Sequence, residues 1–166
     1  MTAIFVTHDQ EEAMGVSDRI AVMNSGQIEQ FATPSELYAR PRSSFVMDFV
    51  GLSTRMRGRV SKTDGPVMQI DTANGMVLAH GDYGVGTKVT VGVRPELITP
   101  VAGENTIKVT LADAMVLGAK TQLHGASHPE DRLLCEVPGI QTNLTRGQDV
   151  TFGWSVKDTL VYEAPR

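Results

Sequence analysis

Cysteine, aromatic residues and basic charge are all scarce in this sequence, and each scarcity argues against a class of protein. One cysteine, Cys135, occurs in 166 residues, so neither an internal disulfide nor a cysteine-rich metal site is available. Aromatic residues make up 5% of the chain and its formal charge is -4. Nucleic-acid binding needs a basic surface and, for single strands, stacking aromatics. The composition favours a reducing compartment and excludes nucleic acid as an expected partner.

Long apolar runs are also missing. No run approaches the roughly 18 residues of a membrane-spanning helix, and the N-terminus lacks the pattern of a signal peptide, so any membrane role is expected to be indirect. His80, His124 and His128 are scattered without metal-ligand spacing, and no metal site is expected. The 41% hydrophobic content is ample for the core of one domain or two small ones.

The segment TAIFVTHDQEEAM, residues 2–14, joins an apolar run to an acidic helical pattern. Residues 3–6 are typical of a short buried strand, and His8 follows at its carboxyl end. Ligands bind at that end of open parallel sheets. The segment therefore makes His8 a candidate functional residue.

Helix and hairpin signals follow. Asp9 and Glu12 have capping-box spacing, which predicts a helix from Gln10 to about Ser17 and makes Asp9 a cap rather than a catalytic group. Residues 19–23 and 27–30, separated by Asn-Ser-Gly, predict a β-hairpin.

Two short helices are predicted next. Residues 33–36, Thr-Pro-Ser-Glu, combine a capping hydroxyl, a proline at the first helical position and a returning glutamate. That helix should end near Arg40, because a proline follows. Phe45 and Phe49 are spaced to share a helical face, and Gly51 is expected to end this second helix.

After Gly51 the pattern changes to short β-rich runs separated by turn residues, which indicates a small β-barrel or sandwich. We therefore expect a mostly β protein with a mixed α/β region at 1–51 and a β-domain at 52–166. The predicted strands lie within residues 57–62, 67–71, 76–80, 88–93, 106–117, 120–126, 132–137, 149–154 and 159–163.

A weak internal repeat occurs in the β-region. GTKVTVGV at 86–93 resembles GQDVTFGW at 147–154, an offset of 61 residues. Two related β-modules would produce it, and so would chance in so short a pattern. Within the strands, Cys135, Trp154 and Tyr162 are expected to be packing residues.

Two segments together resemble a known family. VTHDQEEAMGVSDRIAVMNSGQIEQFATPSELYARPRSSFVMDFVG resembles the C-terminal end of the nucleotide-binding domain of ABC import ATPases, with His8 at the position of the switch histidine. VGVRPELI at 91–98 resembles the Gly-x-Arg-Pro-Glu motif of the TOBE accessory domain, which has an OB-like fold. The resemblance implies a remnant of a P-loop ATPase domain at 1–51 and a regulatory TOBE domain at 52–166.

The early parts of such an ATPase are missing from the sequence. Neither GTK at 86–88 nor GAKT at 118–121 has the G-x-x-x-x-G-K-[ST] spacing that encloses phosphates. The signature Leu-Ser-Gly-Gly-Gln and an apolar strand ending in Asp-Glu are absent too. We expect the chain to bind no cofactor and to be inactive alone, with ATP and Mg²⁺ used by the parent ATPase, where His8 would position the γ-phosphate and water.

The resemblance also implies partners and a location. The parent couples ATP hydrolysis to solute uptake through membrane-spanning permease subunits, at the cytoplasmic face of the cell membrane. Self-association into a dimer is expected, partly through the exposed edge of residues 3–6.

Several alternatives stay open. Arg94, Pro95 and Glu96 are interpreted either as a structural turn, in which proline ends strand pairing and the charges bond locally, or as a reader of a regulatory ligand or partner. The glycine-rich turn at 81–87 could hold a small oxyanion such as molybdate or sulfate in a backbone nest. A stand-alone regulatory subunit, beginning at Met1, is the third interpretation.

Overall fold

The computed structural model describes residues 3–164 and divides into two compact units, Met1–Leu52 and Ser53–Arg166. The protein is mostly β, with nine of its strands in the second unit. Among the described residues, no helix has both the length and the apolar character needed to span a membrane.

The first unit contains one hairpin and three short helices. In chain order these are α1 (Gln10–Val16), β1 (Ile20–Asn24), β2 (Gln27–Ala32), α2 (Pro34–Ala39) and α3 (Ser44–Phe49). Strands β1 and β2 pair antiparallel, as predicted. Thr33 caps α2 in a complete capping box with Glu36, also as predicted. The small core consists of Val22, Ala32, Leu37, Val46 and Val50.

One prediction for this unit is wrong. Residues 3–6 form no strand and are exposed, because a strand needs hydrogen-bonded neighbours and no described strand pairs with them. The C-cap of α3 is Val50, whose N–H donates to the Val46 carbonyl. The helix therefore ends immediately before Gly51, which occupies the position after the cap, as expected. Phe45 and Phe49 do share a face, with ring centroids 5.8 Å apart.

The second unit is built from nine strands and two 3₁₀ helices. They are β3 (Thr54–Asp64), β4 (Val67–Thr72), β5 (Gly75–His80), β6 (Lys88–Val93), a 3₁₀ helix (Pro95–Leu97), β7 (Asn105–Leu117), β8 (Lys120–Gly125), β9 (Leu133–Pro138), β10 (Asp149–Trp154), a second 3₁₀ helix (Val156–Asp158) and β11 (Leu160–Glu163). Each predicted run corresponds to one of these strands.

The strands form two modules with the same order. One sheet reads β11-β6-β3-β4-β5 and the other reads β10-β7-β8-β9. In each module the first strand pairs with the second and the fourth, and the third pairs with the second. A register shift interrupts the first strand of each, after Val60 in β3 and after Leu111 in β7. The repeat at 86–93 and 147–154 therefore occupies equivalent strands, β6 and β10, in two related modules.

The modules exchange their terminal segments. After the first 3₁₀ helix, Thr99 pairs with Gly153 of β10. After the second, Leu160 pairs with Gly92 of β6. The two pairs are equivalent, because Leu160 follows Thr99, and Gly153 follows Gly92, by the same 61-residue offset as the repeat. Each module thus completes the other, and a single hydrophobic core with residues of both modules unites them.

Two buried polar side chains form hydrogen bonds between the modules, where their sheets meet. The Thr54 hydroxyl, at the start of β3, donates to the Leu134 carbonyl at 2.6 Å and accepts the Leu134 N–H at 2.7 Å. The Asn105 amide, at the start of β7, bonds both backbone groups of Leu78 at 2.7 and 2.8 Å. Since buried polar groups are costly unless paired, these contacts fix which strands lie side by side.

Candidate functional site

The loop around His8 is organised by the cap of α1. The Asp9 carboxylate accepts the Glu12 N–H at 3.0 Å, so Asp9 caps the helix as predicted. Glu12 does not complete a reciprocal box. The Thr7 hydroxyl donates to the Glu12 carboxylate at 3.3 Å and accepts the Asp9 N–H at 2.9 Å. In a capping box the Glu12 carboxylate would accept that N–H, so Thr7 takes this role instead.

His8 itself is exposed, and it lies between two residues whose side chains are used by the cap. The cap fixes the backbone that follows His8. The apolar residues that precede His8 have no strand partner among the described residues. The loop can present one imidazole to a ligand, and nothing else in it is equipped to enclose phosphates.

The Arg94-Pro95-Glu96 motif lies at the junction of β6 and the first 3₁₀ helix. Arg94 is buried, and its Nη1 donates to the Ser53 hydroxyl at 2.8 Å. Pro95 is buried and opens the 3₁₀ helix, while Glu96 lies exposed in its first turn. The Ser53 carbonyl accepts a second guanidinium hydrogen bond, from Arg132 Nε at 2.8 Å. Two arginines therefore hold the chain immediately before β3.

The glycine-rich turn at 81–87 offers fewer anion donors than expected. The Gly86 N–H donates to the Val60 carbonyl at 2.8 Å, the Thr87 N–H to Gly84 at 3.1 Å and the Gly81 N–H to Pro66 at 3.0 Å. These three N–H groups are hydrogen-bonded to backbone carbonyls of the sheet and the turn. They are therefore not available as donors to an oxyanion in the backbone nest that the sequence suggested.

The remaining histidines and the cysteine have separate positions. Within residues 3–164 no group of three or more metal-ligating side chains occurs. His124 bonds Gln122 at 2.8 Å, whereas His80 and His128 are exposed. Cys135 is buried and its Sγ donates to the Ile98 carbonyl at 3.1 Å. Burial, with a smaller contribution from Glu136, raises the pKa of this thiol to about 12, so it is not a nucleophile at neutral pH.

One depression of the second unit was not anticipated from the sequence. It has a volume of about 550 Å³ and is lined by Arg57, Arg59 and Lys88 together with Asp71 and two threonines. The signal was present in the Arg-x-Arg-x-Arg alternation of residues 55–59, because a period of two places alternate side chains on one face of a strand. The depression can be recognised only when the pairing of β3 with β6 is known, because Lys88 belongs to β6.

The family model of the TOBE domain matches residues 91–161. The match begins within β6 and ends within β11, so it includes Arg94, Pro95 and Glu96 and all of the second module.

Relatives extend the similarity to the rest of the chain. The spermidine/putrescine import ATP-binding protein PotA of Rubrobacter xylanophilus is 37% identical over 174 residues, which cover 100% of this chain and 46% of that protein. The sn-glycerol-3-phosphate import ATP-binding protein UgpC of a Ruegeria species is 42% identical over 144 residues, covering 86% of this chain and 39% of that protein. The chain spans less than half the length of these curated relatives.

A solved structure has a similar fold over part of the chain. The molybdate-bound cytoplasmic protein ModG matches with a TM-score of 0.56 at 13% identity, over 67% of this chain and 95% of ModG. At that identity the likeness is one of fold alone. The TOBE match and the similarity to the two relatives show that the chain belongs to the TOBE-containing ATP-binding subunits of ABC importers, of which it represents a C-terminal part.

Proposed function

We propose that this chain is the accessory C-terminal portion of an importer ATP-binding subunit whose complete form couples ATP hydrolysis to solute uptake. Similarity to two such subunits and the TOBE match support this function. The two relatives carry the names of different solutes, a polyamine pair and a glycerol phosphate. Solute selection accordingly resides outside this chain, in the subunits that contact the solute.

The observation that carries the proposal is the exposed apolar segment before His8. Ile4 is 92% exposed, Phe5 60% and Val6 91%, in a sequence that is typical of a buried parallel strand. Fully burying each such side chain is worth about 1.5 to 3 kcal/mol, so the segment gains stability when neighbouring strands cover it. We infer that a nucleotide-binding domain supplies those strands, and that its sheet then holds His8 at the strand's carboxyl end.

The residues of this chain do not by themselves fit ATP and Mg²⁺. No P-loop spacing occurs in the sequence, and no metal-ligating group of side chains occurs among residues 3–164. A single hydrogen bond from His8 contributes about 0.5 to 1.5 kcal/mol, whereas association costs at least about 4 kcal/mol. The chain alone is therefore inactive, and His8 serves as a positioning residue only in the complete ATPase.

The same proposal includes partners and a location. Membrane-spanning permease subunits would hold the complete ATPase at the cytoplasmic face of the membrane, as importers require. A second copy would complete a dimer, and the TOBE unit would carry regulatory contacts, with Arg94, Pro95 and Glu96 as the motif to examine. The buried Arg94 suggests that any such contact acts through the shape of the 3₁₀ helix rather than through the guanidinium itself.

Calorimetry with Mg-ATP tests this function. The 166-residue chain is compared with a chimera that joins it to the P-loop-bearing portion of the Rubrobacter relative. We expect no saturable heat from the short chain at millimolar nucleotide and saturable binding by the chimera. Saturable binding of Mg-ATP by the short chain would contradict the proposal, as would a folded chimera that fails to bind.

A further inference from the structure

Three cations line the depression on the second unit, although the chain as a whole is acidic. The formal charge of the chain is -4, yet the depression is lined by three cations and one carboxylate. Arg57 and Arg59 project from the outer face of β3, since their neighbours Met56 and Val60 are buried in the core. Lys88 projects from β6 beside them. The volume of about 550 Å³ is in the range of small-molecule sites.

A like-charge pair lies at the centre of this surface. Arg59 of β3 is directly opposite Lys88 of β6 in the antiparallel register. Like charges in that position destabilise a sheet. The Arg59 Nη1 donates to the Gly86 carbonyl at 2.6 Å, which fixes the guanidinium next to Lys88 and leaves its remaining donors for another acceptor.

The carboxylates nearby are held by other donors. Asp71 is opposite Arg59 on the β4 side, and its Oδ1 accepts the Ser61 hydroxyl at 3.0 Å and the Gln69 amide at 3.5 Å. Glu130 forms an ion pair with Arg57. Asp71 lies across Arg59 from Lys88 in the sheet, so it does not lie between these two cations. The Asp131 carboxylate, like that of Glu130, contacts Arg57, whose N–H it accepts at 3.0 Å.

The second module provides an internal comparison. The position equivalent to the Arg59–Lys88 pair is Thr110 of β7 opposite Asp149 of β10. There the Thr110 hydroxyl donates to the Asp149 carboxylate at 2.7 Å, so the cross-strand pair is satisfied internally. The strand pairing therefore does not require two cations at this point.

From this geometry we propose that the Arg59–Lys88 pair and Arg57 form a binding site for a small tetrahedral polyanion, a phosphate group in the free form or as an ester. An anion between Arg59 and Lys88 accepts charge-assisted hydrogen bonds from both and removes their repulsion. Thr90, opposite Arg57 in the register, and Thr72 line the depression, and the space around the site accommodates the remainder of an ester. This site is independent of ATP hydrolysis and of the backbone turn at 81–87.

The proposal is tested on the full 166-residue chain by titrating inorganic phosphate and glycerol phosphate, followed by amide chemical shifts and calorimetry. The variants are Arg59→Gln and Lys88→Gln. The control is Lys108→Gln, which removes a charge at the exposed position of β7 equivalent to Arg57. All are prepared in phosphate-free buffer at constant ionic strength, so that general screening is equal in every arm.

We expect saturable shifts centred on β3 and β6, at least about tenfold weaker binding in either site variant, and unchanged binding in the control. Tighter binding of the ester than of free phosphate identifies an ester as the ligand, and the reverse identifies the free anion. In phosphate-free buffer, Lys88→Gln should also raise the unfolding midpoint relative to the unsubstituted chain. Absence of saturable shifts, or equal weakening in Lys108→Gln, overturns the proposal.

Discussion

Gly153→Ala should strongly destabilise the second unit, because this position is where the two modules cross. A Cβ built on Gly153 meets the Val101 carbonyl oxygen, and it lies 2.5 Å from the Gly103 nitrogen and 2.7 Å from the Ala102 carbonyl carbon. All three are backbone atoms, which a rotamer change cannot move. The segment that follows the first 3₁₀ helix must therefore separate from β10.

The cost follows from what that separation removes. Thr99 and Gly153 exchange two backbone hydrogen bonds, each 2.9 Å long, and each is worth about 1 kcal/mol net. Overpacking adds about 1 to 3 kcal/mol. The free energy of unfolding should fall by about 3 to 5 kcal/mol, a large part of what a domain of this size has.

Urea unfolding measures this change, with fluorescence of Trp154, the single tryptophan, as the probe. Trp154 is buried beside the substituted residue, so circular dichroism serves as a second probe. The control is Gly84→Ala, where an added Cβ meets open space without a positive φ, and its free energy should change by less than about 0.5 kcal/mol. If Gly153→Ala matches this control, the exchange of segments between modules is not what holds the unit together.

Two further predictions concern titratable groups. Burial raises the pKa of Cys135 to about 12, so at pH 8 the thiol should resist alkylation until urea unfolds the chain. Its contribution to stability is present below the ordinary pKa of 9.0 and is lost as the pH rises from there towards 12; rapid alkylation of the folded chain would contradict this. The Thr33 N–H and hydroxyl lower the pKa of Glu36 below its ordinary 4.5, so the carboxylate stabilises α2 above that pH and the stabilisation is lost as the pH falls through the lowered value. An NMR titration should show this lowered pKa and its return towards 4.5 in Thr33→Ala, and a pKa at or above 4.5 in the unsubstituted chain would refute the capping box.

Local patterns were sufficient for most of the secondary structure. Turn residues delimited β3 to β11, and the Thr33–Glu36 spacing specified the start of α2, because these signals act over three or four residues. The prediction of a strand at residues 3–6 was wrong because the decisive interactions are not local. The apolar composition of these residues is typical of a strand, but strand formation depends on partners distant in sequence.

Tertiary relationships were less accessible. The 61-residue repeat gave a hint of two modules, yet it could not show that Thr99 and Leu160 cross to the other module's strand. The Arg59–Lys88 pair was equally hidden, since register joins residues 29 positions apart in the sequence. Sequence alone places charges on a strand, and pairing decides which charges meet.

The most direct test of the central claim is ATP turnover by the chimera that joins this chain to the P-loop-bearing portion of the relative, with and without His8→Ala. If the chain is the C-terminal part of an importer ATPase, His8→Ala abolishes turnover while Mg-ATP binding is retained, and the 166-residue chain alone shows neither. A folded chimera that hydrolyses ATP at the same rate with alanine at position 8 would contradict the role assigned to His8 and to the segment that carries it.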